Sequence, residues 1–348
     1  MLKRMALENL TVFPRADLAF SPMLNVIIGE NGSGKSQLLK IAYSVIAASA
    51  EAGRLPFSNG PTKATMQKNY AEKLLTVLRP EAVGRLARRG QGVRRCEVAL
   101  FFNNPDLDVA FDFTTKSKTE VRISKLNQDW QPKAPVFFPT RELLTLYPGF
   151  VSFYDQHYIE FPETYRDTCS LLGIPSLKGA REKSAAALMA PLEKAMGGKI
   201  YLDNNGRFYL KIPGSGNMEM YLVAEGIRKL AMLARLVANG SLIDKGYLFW
   251  DEPESNLNPK LIKELAKVIL DLCMGGIQVF IASHSLFLIR ELDILAQGLG
   301  SRIKQRFFGL RPEEDGVVVE QGDHLKDLQT IVLLDEELTQ SDRYMEIG

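Results

Sequence analysis

Residues 24–46 read Leu24-Asn-Val-Ile-Ile28, then Gly29-Glu30-Asn31-Gly32-Ser33-Gly34-Lys35-Ser36, then Gln37-Leu-Leu-Lys-Ile-Ala-Tyr-Ser-Val-Ile46. The first run is a short apolar strand, and apolar positions at 38, 39, 42, 45 and 46 after the glycine-rich turn predict a helix. This strand–turn–helix setting is what the pattern G-x-x-x-x-G-K-[ST] requires of a phosphate-binding loop. Glycines let successive backbone N–H groups curl around a phosphate without Cβ clashes. The helix N-terminus adds a partial positive charge. In such a loop Lys35 reaches the β- and γ-phosphates and Ser36 sets its hydroxyl on Mg²⁺. The eight residues from Gly29 to Ser36 are therefore candidate nucleotide-binding positions. A plain flexible turn is the alternative, and the flanking strand and helix argue against it.

The 348 residues are 46% hydrophobic and 24% charged, ordinary for a globular chain with a sizeable core. A net charge of +2 gives no global pull towards nucleic acid or an anionic membrane, so any such surface is local. Cys96, Cys169 and Cys273 are far apart and lack metal-type spacing, which suits a reducing cytosol. Lys3 and Arg4 stand where a secretion signal needs apolar residues, and no uncharged run approaches a membrane span. The expected location is cytoplasmic.

Along the chain, 3–10, 16–20 and 24–28 read as strands, 51–70 as a glycine- and proline-rich loop or lid, and 70–78 as a short helix. Arg85, Arg88, Arg89, Arg94 and Arg95 follow with no acid between Ala82 and Cys96. Stretches 97–102, 109–114 and 120–123 alternate as antiparallel strands do, and 135–138 is a buried strand. From 141 to about 196 the chain is helix-rich and aromatic, closing with short strands at 199–201, 208–212 and 218–222. The expected organisation is a single α/β domain over 1–348, with a mainly helical lobe inserted at about 141–222. Stretches 305–310 and 316–320 read as edge strands ahead of an acidic helix containing Asp335, Glu336 and Glu337.

The second half of the site lies far downstream. Glu225-Gly226 opens a helix with apolar positions at 227, 230, 231, 234 and 237. Tyr247-Leu-Phe-Trp250 is wholly apolar, as a central parallel strand is, and ends in Asp251-Glu252-Pro253-Glu254. A carboxylate there is where Mg²⁺ needs a second protein partner, which selects Asp251 with Ser36 as metal residues. Glu252 is placed to orient or deprotonate an attacking water. Asn258-Pro259 starts a crossover helix, and Gln278–Ala282 is the next parallel strand. Asp251 and His284 thus fall on one carboxyl edge of the sheet, where His284 is the candidate γ-phosphate contact.

The order of these motifs, with Tyr-Leu-Phe-Trp-Asp-Glu-Pro-Glu-Ser-Asn-Leu-Asn-Pro and then Ala-Ser-His, resembles the ABC-type ATPase superfamily. Within it the chain resembles the soluble SMC/RecF-like branch, including small AAA-type ATPases of prokaryotic anti-phage systems. The resemblance implies a P-loop head with a mixed, mainly parallel sheet and N-terminal antiparallel strands. It implies that Gly29–Ser36 is the Walker A loop, Asp251 the Walker B magnesium residue, Glu252 the catalytic glutamate and His284 the switch histidine. Residues 255–258 resemble the D-loop. The signature motif departs from the usual pattern: Val223-Ala224-Glu225-Gly226-Ile227 has no serine and keeps only the second glycine. No glutamine is placed as a Q-loop, and Thr140-Arg141-Glu142 is the substitute.

The resemblance further implies an ATP- and Mg²⁺-dependent hydrolase working as a head-to-tail homodimer, with Glu225 and Gly226 of one subunit closing the other's nucleotide site. An ATPase that gates a separate effector protein in anti-phage defence is the first functional expectation. The alternative is a DNA-maintenance or repair ATPase whose arginines at 85–95 touch phosphates; those arginines read equally as a solvated face or a protein-docking surface. A transporter subunit fits less well, given the altered signature and the missing Q-loop glutamine.

Overall fold

The computed structural model describes residues 1–55, 60–243, 246–329, 339–340 and 342–346. Strands β1 (Leu2–Leu10) and β2 (Phe13–Ala19) form a hairpin, and β3 (Leu24–Gly29) leads into helix α1 (Lys35–Ala52). Helix α2 (Lys63–Leu78) packs on α1. Strands β4 (Arg95–Phe102), β5 (Val109–Thr114) and β6 (Arg122–Lys125) then complete an antiparallel sheet in the order β2-β1-β4-β5-β6. The loop expected over 51–70 is shorter than the glycines and prolines suggest. Thr62 accepts a hydrogen bond from the Thr65 N–H and starts α2 at Lys63.

After β7 (Val136–Phe138) come α3 (Tyr147–Gln156), α4 (Glu163–Leu172) and α5 (Ala180–Met196). A small antiparallel sheet follows, made of β8 (Lys199–Leu202), β9 (Phe208–Ile212) and β10 (Gly216–Glu219). The chain then runs through α6 (Glu225–Ala238), β11 (Tyr247–Asp251), α7 (Pro259–Met274), β12 (Gln278–Ser283) and α8 (Leu286–Leu299). It returns as β13 (Gln305–Glu313) and β14 (Gly316–Gly322). The acidic helix expected around Asp335–Glu337 lies outside the described residues.

The central sheet has the order β14-β13-β3-β12-β11-β7, and all its pairings are parallel except the β13–β14 hairpin. Fold class and the N-terminal antiparallel strands are thus as the sequence predicts. Strand β13 is not at the edge, however. It pairs with β3, Leu310 opposite Gly29, and buries Phe307 on one face of the sheet and Phe308 on the other. An edge strand would leave one flank of β3 unpaired; here α8 returns the chain to fill it, and of these two strands only β14 is left at the margin.

Because both faces of the sheet are covered, β11 and β12 are buried at every residue, which explains the apolar runs at 247–250 and 279–282. One face packs Ile27, Phe249, Phe280 and Phe308 against α1 and the antiparallel sheet. The other packs Val26, Trp250, Ile281 and Phe307 against α6, α7 and α8, and Leu143, Phe150, Leu172, Leu192, Phe208 and Met220 belong to this same core. Gln278 ties the two sheets: its amide accepts from the Leu2 N–H at 2.9 Å and donates to the carbonyls of Leu2 and Ser21, both at 2.7 Å.

One buried cation fastens α4 to α1 and α2. Lys73 Nζ lies 2.7 Å from Glu51, 3.2 Å from Glu163 and 3.1 Å from Asp167, and Tyr43 Oη donates to Asp167 at 2.6 Å. Burial alone would lower the Lys73 pKa, but Asp167, Glu163 and Glu51 together hold it above the usual lysine range. Lys73→Met would leave three clustered carboxylates, so thermal denaturation should show a loss of about 2–4 kcal/mol, moderated by the partly exposed Glu51. Burial already raises the Glu51 pKa, and without Lys73 the main opposing influence is gone, so the contribution of that carboxyl is present at low pH and lost as pH rises. The deficit should therefore be smaller at pH 5 than at pH 8; an equal deficit at both would contradict this account.

Candidate nucleotide site

Parallel pairing brings the carboxyl ends of β3, β12 and β11 to one edge. Ser283 of β12 lies opposite Ile28 of β3, and Asp251 of β11 lies opposite Ala282 of β12. The loop after β3, the turn after β11 and the segment after β12 consequently meet in one crevice.

In the first loop Glu30, Asn31 and Gly32 form an exposed tip, while Ser33 and Lys35 are buried. Ser33 Oγ donates to the Glu30 carbonyl at 2.8 Å and closes the turn. Gly34 needs to be glycine twice over. Its φ of +93° is left-handed, and a Cβ there would stand 2.7 Å from the Phe13 ring. Lys35 Nζ turns back to donate to the carbonyls of Gly29 at 2.7 Å and Glu30 at 2.8 Å. Burial lowers its pKa, opposed by the charges of Glu252, Asp251, Glu254 and Glu30.

Ser36 Oγ donates to Asp251 Oδ1 at 2.9 Å, across 215 residues of sequence. Asp251 is buried, and burial raises its pKa against the Ser36 hydrogen bond and the nearby Lys40 charge. Glu252 follows in a left-handed conformation, φ +48°, with its N–H donating to the Ala282 carbonyl at 2.9 Å. Its Oε1 lies 3.2 Å from His284 Nδ1. The four side chains singled out in the sequence, Lys35, Asp251, Glu252 and His284, are thereby gathered on one edge.

Sequence reading missed the groups that support them. Glu254 is buried and accepts from Ser283 Oγ at 2.7 Å and from the His284 N–H at 3.4 Å, fixing where the histidine leaves β12. A third acid after Asp251-Glu252 was the available signal. Lys229 on α6 is wholly buried beneath the turn that carries Glu252. It sits opposite the apolar stripe at 227, 230, 231, 234 and 237, so nothing in the sequence marked it as buried.

At the start of α6, Gly226 is buried against the turn after β11; a Cβ there would stand 2.4 Å from the Asn256 carbonyl oxygen. Glu225 sits beside it in the first helical turn. Of Thr140-Arg141-Glu142, the Thr140 carbonyl accepts from Ser255 Oγ at 3.3 Å, Arg141 is exposed, and Glu142 is buried 2.8 Å from Arg228 Nε. In the arginine group, Arg85 pairs with Glu81, Arg95 with Asp112 and Glu97, and Arg88 donates to the Asp315 carbonyl.

Residues 101–290 match the AAA_21 family, described as "AAA domain, putative AbiEii toxin, Type IV TA system". The chain belongs to this AAA family. The matched region holds Asp251, Glu252 and His284 and begins downstream of the Gly29–Ser36 loop. No curated protein matches the sequence. Among solved structures the chain is similar to an SMC head bound to the C-terminal winged-helix domain of ScpA, with TM-score 0.59 at 14% identity, covering 94% of this chain and 99% of that one. It is also similar to the SMC head domain from Thermotoga maritima, with TM-score 0.50 at 14% identity over 92% and 98% of the two chains. At these identities the likeness is one of fold: this AAA chain has the fold of an SMC ATPase head.

A triphosphate with Mg²⁺ fits the residues present. Lys35 holds two backbone carbonyls that it can exchange for phosphate oxygens, Ser36 and Asp251 present two oxygens to one point, and the loop backbone is bare of Cβ atoms at Gly32 and Gly34. The two glycines should respond differently to alanine. Gly32 (φ +83°) has open space where a Cβ would go and carries only backbone strain, about 1 kcal/mol, whereas Gly34 adds the clash with Phe13. Thermal melts should rank Gly34→Ala well below Gly32→Ala; the reverse order would mean that the loop is held differently.

Proposed function

We propose that this chain binds and hydrolyses ATP as a head-to-tail dimer and that its nucleotide state gates a separate effector protein, in defence against phage. The observation that carries the reading is the approach of Ser36 Oγ to Asp251 Oδ1, with Lys35 on one side and the Glu252–His284 pair on the other. Mg²⁺ held by Ser36 and Asp251 would draw charge from the phosphate oxygens. Lys35 would leave the Gly29 and Glu30 carbonyls for those oxygens, and the loop N–H groups from Gly32 to Ser36 would cradle them. Glu252 takes the proton of the attacking water, and His284 fixes the direction of its carboxylate and faces the γ-phosphate. Glu30 and Asn31 line the mouth of the loop.

The whole chain, 1–348, is taken as one ATPase domain, with about 141–222 as its inserted lobe. The shared core described above supports this, since among the described residues Leu143, Phe150, Leu172, Leu192, Phe208 and Met220 of the segment join the core of the central sheet. Dimerisation follows from the charge that ATP adds to two facing surfaces and hydrolysis removes. At the N-terminus of α6, Glu225 is the residue offered to the partner's nucleotide, with Gly226 packed behind it against the turn after β11 and the exposed Tyr221 and Leu222 flanking it. An effector in trans is supported by the family description, which reads "putative AbiEii toxin, Type IV TA system", and by the similar SMC head seen bound to ScpA. Direct action on DNA is the weaker reading, because Arg85, Arg88 and Arg95 already spend their guanidinium groups on this chain's own oxygens. No helix among the described residues is long and apolar enough to cross a membrane. The proposed site of action is the cytoplasm, since three dispersed cysteines suit a reducing compartment.

Glu252→Gln should bind ATP, lose at least about 100-fold in turnover and accumulate as a dimer, and Lys35→Ala should lose both binding and dimerisation. Phosphate release and light scattering with and without ATP measure these. Wild-type turnover in Glu252→Gln would remove Glu252 from the reaction.

A further inference from the structure

Lys229 has no part in the mechanism above, and its surroundings are unusual for a lysine. It lies on α6, 0% exposed, between residues that pack apolar side chains into the core. An ammonium carries three protons, and all three have acceptors: the Glu252 carbonyl at 3.1 Å, the Ser255 carbonyl at 3.2 Å and Ser255 Oγ. Ser255 Oγ in turn lies 3.0 Å from the Glu252 carbonyl and 3.3 Å from that of Thr140. The preceding residue, Arg228, pairs with Glu142 at 2.8 Å. Two consecutive basic residues thus bind α6 to the chain leaving β11 and to the chain leaving β7.

Packing alone does not call for a cation here. Leu233 and Leu236 fill the same helix face without one, and burying an ammonium is unfavourable unless every proton is used. The acceptors identify what the cation holds. They are the carbonyl of Glu252 itself, whose φ of +48° is a strained conformation for a glutamate, and both oxygens of Ser255, which closes the same turn.

We propose that Lys229 is a positioning residue for hydrolysis: it clamps the left-handed turn at Glu252, aims that carboxylate at His284, and ties the turn to α6, whose first residues are Glu225 and Gly226. The proposal rests on the ATPase reading. A subunit that docks on the start of α6 moves Lys229, and with it the backbone of the residue that activates water. Burial holds the Lys229 pKa down at about 8, against the charges of Glu254, Glu225, Glu252 and Asp251, so the ammonium is only moderately favoured over the amine near neutral pH.

Lys229→Met keeps an unbranched side chain one atom shorter than lysine and removes its three hydrogen bonds. Steady-state kinetics on the full chain should show kcat reduced by about 10- to 100-fold with KM for ATP within about two-fold of wild type. Ser255→Ala, which removes one acceptor and keeps the cation, should reduce kcat less, and the double variant should fall no further than Lys229→Met alone. The melting temperature of each variant establishes that it is folded. Should Lys229→Met fail to fold, Ser255→Ala decides alone, with reduced kcat at unchanged KM expected. Wild-type kcat in a folded Lys229→Met, an effect confined to KM, or losses that add independently in the double variant would each overturn the proposal while leaving the ATPase reading intact. A wild-type chain that does not turn over ATP, or a Lys35→Ala variant that does so normally, would overturn both.

Discussion

The pairing register of three parallel strands governs every functional distance in this protein. With Ile28 beside Ser283 and Ala282 beside Asp251, the phosphate-type loop, the two acids and the histidine emerge at one level. A slip of one residue would send each strand's side chains to the opposite face. The register is held by large groups on both faces, among them Phe249 stacked on Phe280 at 4.7 Å and Trp250 edge-on to Phe138 at 4.9 Å. Strand β13 completes the arrangement by sealing the far flank of β3, where the Leu310 backbone closes on Gly29.

The crevice so formed keeps charges in an environment that does not favour them. Burial raises the Asp251 pKa, so the stabilising contribution of that group is present at low pH and is lost as pH rises through its folded value. Burial lowers the Lys35 pKa, so the unfolded chain binds that proton more readily and stability grows as pH rises from the folded towards the unfolded value. At neutral pH both charged forms therefore weaken the fold. Such a site gains from a ligand that brings phosphate oxygens to the ammonium and a cation to the carboxylate, and occupancy would return stability by mass action.

Much of this was legible in the amino-acid sequence, because its signals are local. A glycine-rich turn between an apolar strand and an amphipathic helix, and an apolar run ending in acids, are short-range patterns. The crossover from Asn258 to Ala282 then follows from handedness and length, which places His284 beside Asp251. What was missed is non-local. The inner position of β13 depends on which flank of β3 remains open, and Gln305–Leu310 carries no mark of that. Lys229 resembles a solvated helix lysine until Glu252 and Ser255 are folded beneath it, and Lys73 acquires its role only when α4 brings Glu163 and Asp167 to α1 and α2. The early start of α2 was present as Thr62, but the nearby glycines and prolines outweighed it.

A crystal structure of the chain with Mn²⁺ and a non-hydrolysable ATP analogue, located by the anomalous signal of the metal, tests the central claim most directly. The account predicts one strong peak within coordination distance of Ser36 Oγ and the Asp251 carboxylate, with Lys35 Nζ moved from the Gly29 and Glu30 carbonyls onto the phosphates. Metal and nucleotide bound elsewhere, with Lys35 still on those carbonyls, would contradict it.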